Sequence, residues 1–226
     1  RVKSLLDIIN KNRNVEFTCC NYDLLFFEKV KNDEQELYNN IQDHLRDERF
    51  ITLHEAPRLS KELIFDELID PLYGNVFLGA IMTGIFLKNK WDDLEKTNIN
   101  LHGFNSLQSI YPHSYIYANI FIGCKSYYCG KPLITVGEGA REWASGDYWK
   151  TVLPLIHFRI LGEMIENYRK CGLQTKQFNK CKRSTAQLAG NLLLQIIFRK
   201  YLLKKYIKNE DYLNIYSVIK FYIFTP

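Results

Sequence analysis

The chain has 226 residues, 46% of them apolar and 24% charged, so it can bury the core of one domain with an appendage. The apolar run over 76–87 is too short for a membrane-spanning helix, and no charged-then-apolar signal segment is present. The six cysteines include no Cys-x-x-Cys pair and the five histidines lack metal-ligand spacing, which predicts reduced thiols and no structural metal site.

The opening segment alternates between helix and strand patterns. Apolar residues at helical spacing predict an amphipathic helix over 1–13. The alternation in 15–20 favours β residues and predicts a strand that Asn21 ends. Ser60 precedes a helical apolar pattern, which predicts a capped helix that stops at Pro71.

The middle of the chain begins with the apolar run over 76–87, which predicts a buried strand. Its glycines predict places where another backbone or a ligand comes close. Trp91 would then open a short helix. Asn105-Ser106 predicts the cap of a helix that continues to about Ile122, with Pro112 near its start or at a kink.

The last part of the chain changes from strand to helix patterns. Short strands are predicted around Tyr127 and over 133–136, and a turn at 137–139 follows them. Helices are predicted over 145–170, 184–207 and 210–222. Cys171-Gly172 predicts the C-terminal stop of the first of these. The elements together indicate an α/β body followed by a helical tail.

The net charge of +5 is unevenly distributed. Residues 151–226 contain 13 Lys or Arg and 4 Asp or Glu, so this part carries +9 and residues 1–150 carry −4. A basic tail on a slightly acidic body predicts an anionic partner for the tail. Membrane phospholipid, lipid-linked phosphate and nucleic acid all have the required charge.

The common motifs for phosphate binding, dinucleotide binding and nucleophilic catalysis are absent. Four weaker motifs occur instead, in a fixed order. They are Lys88-Asn89-Lys90-Trp91 after an apolar strand, Pro112-His113 on a helix, Pro132-Leu133-Ile134 at a strand, and a loop with Arg141, Trp143 and Ser145. In this order they resemble the second half of family-two glycosyltransferases of the abequosyltransferase-like type, which build bacterial surface polysaccharides.

The resemblance implies a partial nucleotide-diphospho-sugar transferase (GT-A-like) fold followed by a helical C-terminal tail. Residues 1–150 would form the acceptor side of that domain and 151–226 the basic helical region. The family implies Mg²⁺ or Mn²⁺ held by an Asp-x-Asp motif in the donor half. This chain has no Asp-x-Asp, and Asp92-Asp93 is interpreted as charge at a helix N-terminus. We therefore expect the donor half to precede Arg1.

The resemblance also implies roles for individual residues. His113 would take the proton from the acceptor hydroxyl, and Arg141 with Ser145 would bind the donor diphosphate. The residues expected at the acceptor are Thr83, Trp91 and Trp143. The structural alternatives stay open: a buried, hydrogen-bonded His113, a solvated Arg141, and tryptophans packed in the core.

The implied reaction is inverting transfer from a nucleotide-sugar to a lipid-linked or polysaccharide acceptor. A basic amphipathic tail on an anionic membrane surface would suit such an acceptor and would place the protein at the cytoplasmic membrane face. Nucleic acid is not expected in that case. A solvated charged face is the alternative for the tail. A non-catalytic module that binds membrane or nucleic acid is the alternative for the whole chain.

Overall fold

The computed structural model describes residues 2–26, 51–53, 56–73, 77, 81–92, 106–138 and 155–201, which form an α/β arrangement. The strands in this part are β1 (Phe17–Phe26), β2 (Ile51–Leu53), β3 (Lys61–Ile64), β4 (Gly84–Phe86) and β5 (Lys125–Glu138). The α-helices are α1 (Val2–Lys11), α2 (Phe65–Leu68), α3 (Lys88–Asp92), α4 (Leu107–Ile110), α5 (Pro112–Phe121), α6 (Leu161–Lys170) and α7 (Thr175–Tyr201). A π-helix, Ile156–Ile160, leads into α6.

The strands form one mixed sheet with β1 and β5 at its centre. These two strands run parallel from the Phe17–Ser126 pair to the Phe26–Glu138 pair. On the edge of β1 away from β5, β4 pairs antiparallel with the first residues of β1 and β2 pairs antiparallel with its last residues. β3 pairs antiparallel with β5, so β5 lies between β1 and β3.

The parallel ladder is interrupted by a bulge on β5. While β1 advances from Cys20 to Tyr22, β5 advances from Cys129 to Ile134. The extra residues include a proline, which cannot donate to the ladder and is tolerated in a bulge. The two short strands predicted in this region are the two arms of β5 on either side of the bulge.

Side chains from two other segments hold the bulge at Gly130. Asn21 Nδ2 donates to the Gly130 carbonyl at 3.1 Å, and the Gly130 N–H donates to Ser60 Oγ at 3.0 Å. The prediction that Asn21 ends its strand was wrong, because its amide bridges the bulge and β1 continues to Phe26. Ser60 likewise binds the bulge and does not cap a helix.

The segment after Ser60 is a strand, where a helix had been predicted. β3 pairs with β5 in the register that places Leu63 opposite Ser126. Long-range strand pairing therefore overrides the local helical pattern. Only the single turn α2 remains helical, and it ends before Pro71, which begins a 3₁₀ turn.

The predicted strand over 76–87 and the helix opened by Trp91 also need correction. Within the described part of that stretch, Ile81–Thr83 is a 3₁₀ turn and only Gly84–Phe86 is a strand. Helix α3 begins at Lys88, so Trp91 and Asp92 lie in its last turn. Asp92 pairs with Lys88 in that helix and does not contribute charge at a helix N-terminus. Asp93 lies outside the described residues.

Two helix boundaries were predicted correctly. Ser106 Oγ accepts the N–H of Ser109 and caps α4 as predicted. The single helix predicted from there to about Ile122 is divided, because α4 ends at Ile110 and α5 starts with Pro112 at its first position. Gly172 follows the end of α6 with a φ of +115°. The last described helix begins at Thr175, earlier than the predicted start at 184. Residues 145–154 and 202–226 lie outside the described residues.

The main core brings the sheet and the later helices together. Buried side chains from β1, β3, α2, α5, the π-helix, α6 and α7 belong to one cluster. They include Phe17, Leu63, Phe65, Phe121, Ile160, Met164, Tyr168, Phe178 and Cys181. The described helices of the predicted 151–226 region thus pack on the same core as the sheet. A second, smaller cluster consists of Cys20, Cys129 and Leu133, with Leu5 and Ile8 of α1 packed against it.

Stability should depend on pH through His157 of the π-helix. Its Nδ1 is buried without a hydrogen-bond partner in the described part of the chain, and burial lowers the pKa of His157. The unfolded chain then binds more protons, so the free energy of unfolding falls as pH drops through about 6.5. We expect urea denaturation to show a smaller loss of stability between about pH 7.5 and pH 5.5 in His157→Asn than in wild type. Equal losses in the two proteins would contradict this expectation.

Candidate functional site

An aromatic cluster surrounds Tyr117 on α5 and contains two of the predicted site residues. We call Phe86, Trp91, His113 and Tyr117 the Tyr117 cluster. The Trp91 and His113 rings lie 6.4 and 5.8 Å from the Tyr117 ring between centroids, and both are edge-on to it. Trp91 also stacks on Phe86 at 5.0 Å. Residues from β4, α3 and α5 therefore meet at one side chain.

The Tyr117 hydroxyl is the unusual polar group of this cluster. The residue is 1% exposed, and its Oη has no hydrogen-bond partner in the described part of the chain. Burial raises the pKa of Tyr117, so the phenol stays neutral. A buried hydroxyl without a partner loses the hydrogen bonds it would make in water. Its hydrogen-bonding capacity is therefore unused by the described residues.

Thr83 is next in sequence to a glycine that lies against the Tyr117 hydroxyl. It is fully buried and immediately precedes Gly84. A methyl group built on Gly84 would lie 2.8 Å from Tyr117 Oη, so only glycine allows the tyrosine this close. The close approach predicted for the glycines of this run occurs here, and the partner is a tyrosine side chain.

The structure therefore brings two predicted site residues, Trp91 and His113, together at Tyr117, and a third, Thr83, is next in sequence to Gly84, which lies against the Tyr117 hydroxyl. His113 is 7% exposed, in the first turn of α5, and Trp91 is half-buried. Both pack on the core, so a packing role is shown for each and a chemical role is proposed below. The donor-site residues Arg141 and Ser145, and the acceptor residue Trp143, lie outside the described residues.

A separate cleft of about 380 Å³ opens between α4, α5, the π-helix and α6. Its wall combines two aromatic rings, two carboxylates, two amides and two cations. The lining includes Gln108, Tyr115, Arg159, Glu163, Glu166, Asn167 and Lys170. A π-turn widens the helix locally and often occurs at functional positions. This mixture of polar groups around an apolar wall is typical of a small-molecule site.

The two carboxylates of the cleft, Glu163 and Glu166, differ in the hydrogen bonds that they accept. Glu163 accepts from Arg159 Nε at 2.7 Å and from the Leu107 N–H at 3.2 Å. Glu166 Oε1 is buried, lies 3.9 Å from Arg169 Nη1 and accepts no hydrogen bond from the residues that the structure describes. Asn167 Nδ2 is also buried, without an acceptor in the described chain. At consecutive positions α6 therefore carries a buried acceptor and a buried donor that have no hydrogen-bond partner among the described residues.

Sequence reasoning missed this cleft. The predicted site residues that the structure describes, Thr83, Trp91 and His113, do not line it, because they came from the resemblance. A signal was present: Glu163 and Glu166 are the two carboxylates in residues 151–209, an otherwise cationic stretch. Their spacing places both on one face of a helix, together with Asn167.

The first turns of the basic helix α7 are fixed to the core. Lys180 Nζ and Gln177 Nε2 donate to Asp70 Oδ2 at 2.6 and 3.2 Å. Cys181 Sγ donates to the Ile69 carbonyl at 3.1 Å. In the described residues no helix combines the length and apolar character needed to cross a membrane. The side chains of α7 after Leu194 lie outside the description.

A metal site cannot be built from the residues in hand. No three His, Cys, Asp or Glu side chains of the described ranges come close enough together to hold an ion. The Mg²⁺ or Mn²⁺ implied by the resemblance therefore has no fitting ligand set here, and we assign it no catalytic step. Comparison of the chain with models of protein families, with curated proteins and with solved structures found no match.

Proposed function

We propose that this chain forms the acceptor side of an inverting glycosyltransferase, which moves a sugar from a nucleotide-sugar onto a lipid-linked or polysaccharide acceptor of the bacterial surface. The observation that carries the proposal is the meeting of Trp91 and His113 at Tyr117, whose hydroxyl lies against Gly84, the neighbour of Thr83 in sequence. The resemblance implied Thr83, Trp91 and His113 as site residues, and they come from separate segments of the chain.

In the proposed reaction His113 acts as the base. An imidazole nitrogen takes the proton of the acceptor hydroxyl while the hydroxyl oxygen bonds to the anomeric carbon of the donor sugar. The bond from that carbon to the diphosphate breaks on the opposite face, and a nucleoside diphosphate leaves. The Tyr117 hydroxyl, which lacks a partner in the described chain, would hydrogen-bond a sugar hydroxyl beside His113.

Trp91 would orient the acceptor sugar. One face of its indole is stacked on Phe86, and the residue is half-buried, so part of the ring can meet a ligand. An aromatic surface binds the apolar face of a sugar ring. Donor phosphate binding by Arg141 and Ser145, and the metal, remain part of the proposal.

The experiment is a donor screen on the complete gene product and on the 226-residue chain. UDP-, GDP-, CDP- and dTDP-sugars are offered with and without Mn²⁺, and released nucleoside diphosphate is measured. We expect metal-dependent release by the complete product. In that product Trp91→Ala should raise the acceptor KM about tenfold, while Trp91→Phe keeps a ring and should have a smaller effect. Absence of turnover and of binding with all four donor classes would overturn the proposal.

A non-catalytic interaction module is the second candidate. Residues 167–209 contain eleven Lys or Arg and no Asp or Glu, which favours binding to a polyanion. If the donor screen fails, co-sedimentation with anionic vesicles and binding to duplex DNA at rising salt would test this candidate. Nucleic-acid binding through these cations should weaken steeply with salt.

A further inference from the structure

Two cysteines face each other across the centre of the sheet. Cys20 of β1 and Cys129 of β5 are direct partners in the parallel ladder, at the last pair before the bulge. Adjacent strands lie about 4.8 Å apart, which is within the range of Cα separations that a disulfide spans. Both residues are 1% exposed, and all six cysteines of the chain are free thiols.

The surroundings of the two thiols make them unequal. Cys129 Sγ donates to the Lys131 carbonyl at 3.3 Å, and the adjacent Cys20 thiol lowers the pKa of Cys129. The nearby Ser60 hydroxyl also lowers the pKa of Cys129. Thiolate character makes a cysteine nucleophilic, so Cys129 is the more reactive member of the pair.

The other described cysteines lack this arrangement. Burial raises the pKa of Cys124 and Cys171, and it raises the pKa of Cys181 to about 12. Cys19 belongs to the main core cluster and not to the small cluster that holds the pair. Cys19 is therefore a matched control, since it is adjacent to Cys20 and just as buried.

Helix α1 covers the pair. Leu5 and Ile8 pack against the small cluster, whereas Leu6 on the same helix is 53% exposed. A helix of ten residues held mainly by such contacts opens more easily than the sheet beneath it. Local opening of α1 gives a small oxidant access to the thiols.

We propose that Cys20 and Cys129 form an oxidation site, at which a peroxide converts the pair to a cross-strand disulfide. Cys129 thiolate attacks one peroxide oxygen, the O–O bond breaks and hydroxide leaves, so Cys129 becomes a sulfenic acid. The Cys20 thiol then gives its proton to the departing oxygen and attacks the Cys129 sulfur. The S–S bond forms and water leaves. The two thiols lose two electrons, and hydrogen peroxide is reduced to two waters.

The experiment treats the full chain with hydrogen peroxide, alkylates the remaining thiols and maps tryptic peptides without reduction. We expect one linked species that joins the peptides of Cys20 and Cys129 and separates on reduction. Cys19→Ser should keep the link, and Cys20→Ser should abolish it. A link that persists in folded Cys20→Ser, or oxidation of wild-type Cys129 without any link, would overturn the proposal.

A second pair of variants tests the role of α1 without altering either thiol. Ile8→Ala should accelerate formation of the link roughly threefold or more, because it weakens the cover of the pair. Leu6→Ala removes a similar side chain from an exposed position and should leave the rate unchanged. Equal rates in both variants would show that access does not depend on α1, and that part of the proposal would fail.

Discussion

Gly130→Ala should destabilise the chain by about 3 kcal/mol, because the position has no room for a side chain. A methyl group there would lie 2.3 Å from both the carbonyl carbon and the carbonyl oxygen of Arg58. Backbone atoms cannot rotate away as the end of a flexible side chain can. The segment before β3 would have to move off the bulge, with loss of the Ser60 and Asn21 hydrogen bonds at Gly130.

Urea denaturation followed by circular dichroism would measure this loss, with Gly190→Ala as the matched control. Gly190 lies inside α7, and a methyl group built on it meets nothing within 4 Å. Alanine is the better helix former, so the control should be more stable than wild type by about 0.5–1 kcal/mol. Equal stabilities for the two variants would show that the chain does not cross Gly130 as closely as described.

His113→Ala should lower the rate of sugar transfer by the complete gene product by about 10²–10⁴-fold, if His113 is the base. The acceptor KM should change much less, because proton removal contributes to the transition state and not to ground-state binding. The residue is buried beside Tyr111 and Tyr117, so the variant must first be shown to fold by circular dichroism.

Two further measurements distinguish proton transfer from packing at His113. Added imidazole should restore part of the His113→Ala rate, since it can occupy the cavity left by the side chain. The low-pH limb of the pH–rate profile should disappear in the variant. A loss of rate that imidazole does not relieve, with an unchanged profile, would leave His113 with the packing role that the structure shows.

Local sequence signals predicted those elements whose boundaries depend on nearby residues. Pro112 restarts a helix because it needs no N–H partner in the first turn, and Gly172 ends one because it adopts a positive φ. The segment Lys61–Ile64 also has a helical apolar pattern, yet it forms a strand because it pairs with β5. β5 lies far from this segment in the sequence, so the residues around Lys61–Ile64 give no sign of the pairing.

In the candidate site, too, some residues were named from the sequence and others became evident only from tertiary contacts. The resemblance named Trp91 and His113 but not Tyr117, whose ring contacts both, because an aromatic residue in an apolar helix is typical of core packing. The cleft around Glu163 and Glu166 needed the tertiary contact of α6 with Leu107 before it could be recognised. The distribution of charge in the sequence identified the basic region that contains Glu163 and Glu166, but not the cleft.

The position of β5 has a consequence for how the chain folds. Asn21 and Gly130, which join β1 to β5, are 109 positions apart, so the central pairing is highly non-local and slow to form. During synthesis at about 5–20 residues per second, β1 waits roughly 5–20 s for its parallel neighbour. β2 and β4 can pair with β1 in that interval, while among the described strands β3 pairs only with β5. A chain interrupted before residue 125 would therefore leave strand edges open on β1 and β3, and it would aggregate where the longer chain folds.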